Sequence, residues 1–142
     1  AMRWANPDVI FTHSPDDESP DHWMTSKLVR NMIISLPGIN QQSSETPCTK
    51  KVSVFTFPTG LDINFVPEVY VDITDELETV CQAINLHKSQ MAYMTNFKGT
   101  KDISVCKRKT AAFRGMQCGC ESAESFRAFR ISGYMPDFKV LP

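Results

Sequence analysis

Pro7-Asp8-Val9-Ile10-Phe11-Thr12-His13 carries three consecutive apolar residues, Val9, Ile10 and Phe11, closed by a polar pair. A short apolar run of this kind predicts a buried strand of an α/β sheet, covered on both faces. His13 then stands at the strand's carboxyl end. Ser14-Pro15-Asp16-Asp17-Glu18-Ser19-Pro20-Asp21-His22 follows, with two prolines and four acidic residues. That is too much proline and acid for helix, so the segment is a loop, and loops after strand ends are where α/β proteins hold ligands. From Asp21 onward Met24, Leu28, Val29, Met32, Ile33 and Leu36 recur at intervals of three and four. The spacing predicts an amphipathic helix, stopped by Pro37-Gly38.

Downstream the pattern is less regular. Asn40–Lys51 is polar and aperiodic, a surface loop. Val52–Phe57 alternates and ends in Pro58-Thr59-Gly60, a strand and its turn. Glu68–Ile73 predicts another strand, and Thr74 an N-cap with Asp75 and Glu76 in the first turn of a helix. That helix continues through Leu77, Val80, Cys81, Ile84, His87 and Met91. Thr95–Thr110, bearing Lys98, Lys101, Lys107, Arg108 and Lys109, predicts an exposed basic loop. A short helix is expected over Glu121–Arg130 with Ala123, Phe126 and Phe129 inward, then a loosely held tail from Pro136 to Pro142. One domain is expected over the 142 residues, with no internal repeat.

Hydrophobic residues make up 42% and charged residues 22%, and 15 Lys+Arg against 16 Asp+Glu leave a net charge of -1. These values exclude a disordered chain and argue against a global polyanion binder, so nucleic acid is not an expected partner. No apolar stretch has the length of a membrane span, and Ala1-Met2-Arg3-Trp4 shows no basic region followed by an apolar one. Five cysteines, an odd number, with seven methionines suit reduced thiols and a cytoplasmic protein.

The densest set of chemically capable residues is His13, Asp16, Asp17, Asp21 and His22. Neutral imidazole and carboxylate are the ligands of hydrolytic zinc sites, where three protein donors leave a position open for water. The competing reading is a solvated acidic loop in which Asp21 caps a helix. Cys118-Gly119-Cys120 is either a thiol pair for a metal or redox chemistry or two small residues at a turn. His87 reads as a packing residue and the lysine cluster as a solvated face or an anion attractor.

Three segments carry a resemblance to a known family. Pro7–His13 with Asp17-Glu18-Ser19-Pro20-Asp21-His22 resembles the second motif of LmbE-like, or PIG-L-like, zinc-dependent N-deacetylases, a P-D-V-V-x-T-H strand leading into D-Y-H-P-D-H. Glu68–Thr74 with His87-Lys88-Ser89-Gln90 is similar to that family's strand and helix ending in H-K-S-Q. Ala112-Phe113-Arg114-Gly115-Met116-Gln117-Cys118-Gly119 with Ala123-Glu124-Ser125-Phe126-Arg127 is similar to its R-G-x-x-x-G and A-E-x-F passage. The motifs stand in the family's order over nearly the whole chain.

The resemblance implies part of a Rossmann-like three-layer α/β sandwich with a few strands and about three helices, lacking the family's N-terminal half. It implies a zinc cofactor and hydrolysis of N-acetyl groups on amino sugars or glycoconjugates. His22 matches the zinc-ligating histidine, with His13, Asp16 and Asp17 as further candidate ligands. Asp21 matches the carboxylate that orients the imidazole or metal shell. Ser19 replaces a family histidine and cannot bring a positive charge. Gln90, Arg114 and Glu124 fall on matched positions as substrate-binding or structural residues, an Arg114–Glu124 pair among the structural options. The family's first motif, A-H-P-D-D-E, is absent. His13-Ser14-Pro15-Asp16-Asp17-Glu18 only superficially resembles it, and the chain has three histidines in all. The expectation is therefore a chain catalytically incomplete alone, with a noncatalytic binding module, a homo-oligomer or a chain completing the site in trans as alternatives.

Overall fold

In the computed structural model, which describes residues 1–40, 43–60, 64–99 and 102–130, β1 (Val9–His13) and β2 (Ser53–Phe57) run parallel, with Val9 opposite Ser53 and His13 opposite Phe57. β3 (Val69–Asp72) and β4 (Ala123–Ala128) complete a four-stranded sheet of order β1-β2-β4-β3 among the described residues. β4 runs antiparallel to β2. The helices are α1 (Met2–Ala5), α2 (Pro20–Ser35), α3 (Leu77–Asn85), α4 (Lys88–Lys98) and α5 (Ser104–Cys118). The fold is α/β with a mixed sheet. The described residues divide into two compact units: those of Ala1–Thr59, Asn64–Glu68 and 126–130 form the first, and those of Val69–Ser125 the second.

The first unit is built on β1, α2 and β2. Pro20 opens α2 after Ser19, at the position where proline's fixed φ and missing N–H cost nothing. Val29, Ile33 and Leu36 pack against Cys48, Val52 and Val54. The predicted apolar stripe of α2 splits in two. Adjacent residues point about 100° apart around a helix, so turning Val29 and Ile33 inward leaves Met24, Leu28 and Met32 at 52%, 60% and 40% exposure. β1 is likewise covered on one face, not two. Thr12 is buried, whereas Val9 and Phe11 lie exposed on the other face, where Phe11 meets Phe55 and Phe126 at ring-centroid distances of 5.9 and 5.2 Å.

In the second unit the predicted elements shift. Residues expected to form one helix from Leu77 through Met91 form two: α3 ends at Asn85, and His87, at φ -77° and ψ 77°, breaks the helical path before α4. Thr74 is not the N-cap of α3. The Asp72 carboxylate accepts bonds from its N–H and hydroxyl, and the Thr74 hydroxyl in turn accepts the Ser122 N–H. Much of the expected basic loop Thr95–Thr110 is helix: α4 runs to Lys98 and α5 begins at Ser104. The inward face of α5 uses Ser104, Ala111, Arg114 and Gly115, so no large apolar period announces it. Lys107 pairs with Glu124 and Arg108 with Glu78. The helix expected over Glu121–Arg130 is strand β4. Ala123 and Ser125 alternate into the interior, and main-chain bonds such as Ile73 N–H to Ser122 C=O fix the strand. Within Asn40–Lys51 the described residues form neither helix nor strand, and the Pro136–Pro142 tail lies outside the described residues.

Candidate metal centre

β1 delivers His13 to the mouth of a tight loop. Ser14 C=O accepts the Asp17 N–H at 3.2 Å, which turns the chain back. The Asp17 side chain, 3% exposed, then accepts the Ser19 N–H at 2.9 Å. Asp17 thus holds the residue that starts α2 and sets the first turn, on which Asp21 and His22 lie.

Three side chains close on one another around that turn. His22 Nδ1 lies 3.1 Å from Asp17 Oδ1 and 3.1 Å from Thr59 Oγ1, and the Thr59 hydroxyl donates to Asp17 Oδ2. A carboxylate only accepts, so Nδ1 of the neutral ring carries the proton and Nε2 keeps its lone pair. The His13 ring stacks on His22 at 4.1 Å with planes 5° apart, and Phe57 lies 5.1 Å from His13. His13 Nδ1 is buried and has no hydrogen-bond partner among the described residues.

Protonation follows from this packing. Burial, and then the neighbouring His22, hold His13 below the ordinary imidazole value. Burial works against ionisation of Asp17, but bonds donated by Thr59, Ser19 and His22 outweigh it and keep the carboxyl below its ordinary value. The result is a neutral imidazole beside a carboxylate, the states a metal ion requires of its ligands. His13, Asp17 and His22 each place a ligand atom within 4.8 Å of the others. Two imidazoles, one of them with a buried nitrogen that has no partner among the described residues, and a carboxylate are donor types that fit a zinc ion.

The other candidate residues are placed differently. Asp16 is exposed and pairs with Arg127 at 3.1 Å. Asp21, at 84% side-chain exposure, stands 4.0 Å from His22 Nε2, while Asp17 engages Nδ1. Ser19 contributes its backbone N–H to Asp17. Gln90, on α4, Arg114 and Glu124 belong to the second unit. Gln90 is exposed there, Arg114 is buried and donates to Gln117 at 2.8 Å, and Glu124 accepts from Lys107.

Sequence pattern marks Thr59 only as part of a turn. It lies 42 residues from Asp17, and nothing nearby in sequence links the two. The signal that could find it is topological, since parallel pairing of β1 with β2 puts the residues after Phe57 beside the loop after His13.

No family model matches the chain. Solved structures do. A conserved protein, TT1542, from Thermus thermophilus aligns with 88% of this chain at a TM-score of 0.73 and 22% identity. The N,N'-diacetylchitobiose deacetylase from Pyrococcus horikoshii aligns with 99% at 0.71 and 22% identity. GalB, the 4-carboxy-2-hydroxymuconate hydratase from Pseudomonas putida, aligns with 92% at 0.63 and 17% identity. The chain covers 53%, 53% and 55% of their lengths. It therefore shares their fold and spans about half of each.

Proposed function

We propose that this chain supplies the His13, Asp17 and His22 wall of a zinc-dependent N-deacetylase site of the LmbE/PIG-L type, acting on an N-acetylated amino sugar or glycoconjugate. One observation carries the reading: the three donors gather at the carboxyl end of β1 in a chain that shares its fold with a diacetylchitobiose deacetylase.

His22, through Nε2, and His13 would hold the ion, with the Asp17 carboxylate on the Nδ1 side of the His22 ring. When bound, zinc lowers the pKa of its water to about 7 and polarises the amide carbonyl. Asp17 and Thr59 fix the His22 ring and its tautomer, since a ligating imidazole is oriented by the partner of its other nitrogen. Asp21 is an exposed carboxylate on the Nε2 side of that ring and is the group placed to accept a proton there. Ser19, at the start of α2, offers a hydroxyl where the family carries an imidazole. It can donate a hydrogen bond to a developing oxyanion but brings no charge.

With no histidine available from the family's first motif, the chain alone is expected to turn over slowly. The test is acetate release from N,N'-diacetylchitobiose by zinc-loaded and zinc-free protein, beside equilibrium dialysis for the ion. His22→Ala is expected to remove one equivalent of bound zinc per chain and to weaken a slow, zinc-dependent release by ~100-fold. Zinc uptake unchanged by His22→Ala, or identical release with and without zinc, overturns the reading.

A further inference from the structure

Cys118 ends α5 and Cys120 lies two residues beyond it, separated by Gly119 in the left-handed conformation at φ 86°. The turn is held by its backbone. Gly115 C=O accepts the N–H of both Gly119 and Cys120, at 2.8 and 3.1 Å. A Cβ on Gly115 would stand 2.6 Å from the carbonyl oxygens of Cys120 and Glu121, so only glycine lets the chain fold back this closely over the helix. The closed turn brings the two Sγ atoms to 3.6 Å with the thiols reduced. Two thiolates on one tetrahedral zinc-like ion, each at ~2.3 Å, stand about 3.8 Å apart. Cys118 is exposed, its Sγ 3.4 Å from the Arg114 carbonyl oxygen, and the Cys120 Sγ lies 3.4 Å from the Ser122 carbonyl oxygen.

We propose that the Cys118-Gly119-Cys120 turn is a second metal site, a dithiolate clip for a thiophilic d10 dication. Soft thiolates select ions of this class, whereas the imidazole and carboxylate donors of the first unit suit a harder borderline ion. The remaining coordination positions face solvent on the Cys118 side and take water.

Cd2+ is the probe, because thiolate-bound Cd2+ has an ultraviolet charge-transfer band whose strength counts the sulfurs. Titration of the whole chain is expected to give one equivalent with a two-thiolate band. Cys118→Ser and Cys120→Ser each abolish that band, and His22→Ala leaves it unchanged, so this site and the proposed zinc site fail or stand separately. On the unaltered protein, Cd2+ is expected to shield Cys118 and Cys120, but not Cys106, from iodoacetamide as read by mass spectrometry. A band that survives both serine substitutions, or unshielded alkylation of Cys118 and Cys120, overturns the proposal.

Discussion

Asp17 in the first unit and Asp102 in the second are both aspartates in loops before helices, and hydrogen bonds hold both carboxyls below their ordinary value. Their partners differ. Asp102 accepts the N–H and hydroxyl of Ser104, two residues on, and an Asn85 amide. Its reach is shorter: it fastens the start of α5 and ties it to the end of α3, 17 residues back, at a half-buried position. Asp17 reaches the Ser19 N–H, then His22, and then Thr59 across 42 residues, and its side chain is buried. Identical chemistry serves a helix start in one unit and an imidazole in the other, and the separating variable is how far in sequence the partners lie.

The strongest way to break this contrast is Asp17→Ala. It strips a buried acceptor from three donors and should cost about 1–3 kcal/mol in urea unfolding. Zinc affinity should fall ~10–100-fold by equilibrium dialysis as the His22 ring loses its orientation. Thr59→Val keeps shape but removes the hydroxyl, and is expected to cost about 0.5–1.5 kcal/mol with a smaller loss of zinc. A double-mutant cycle between positions 17 and 59 should show coupling.

Acid should next separate the two units. His13, with its pKa held below 6.5, resists protonation in the folded state while the unfolded chain accepts the proton. Its contribution is therefore fully present above 6.5 and is lost as pH falls below that value. Asp17, held below 3.8, adds a second loss as pH falls through the folded value. Metal-free protein should show a stability step beginning near pH 6.5 in thermal melts, and His13→Phe should remove it. The smallest effect belongs to Asp102→Ala, which should lower the melting temperature slightly and leave zinc uptake untouched.

The legibility of the sequence follows the same division. β1, its loop and α2 are readable because an apolar run, a proline-acid segment and a three-four spacing are consecutive, local signals. For the same reason His13, Asp16, Asp17, Asp21 and His22 stand out together, and only the turn's geometry separates Asp17 from Asp16 and Asp21. β4 imitates a helix in sequence because Ala123, Phe126 and Phe129 fall at helical spacing, whereas the strand is dictated by main-chain partners near Glu68, Ile73 and Val54. α5 escapes notice because its buried positions include Ser104, Ala111 and Gly115, which no hydrophobic period registers. Thr59 has no signature of its own and acquires a role only when β2 lies beside β1.

The parallel pairing of β1 with β2 also bears on folding order. A fragment ending with α2 contains His13, Asp17 and His22 but not Thr59, so the third partner of Asp17 arrives only after the crossover has closed a long loop. Closing such a loop carries an entropy cost that later contacts must offset, and nonlocal pairings of this kind slow folding. In refolding, the far-ultraviolet signal of α2 should thus precede the environment that locks the His22 ring, and competence for the ion should be the last property regained.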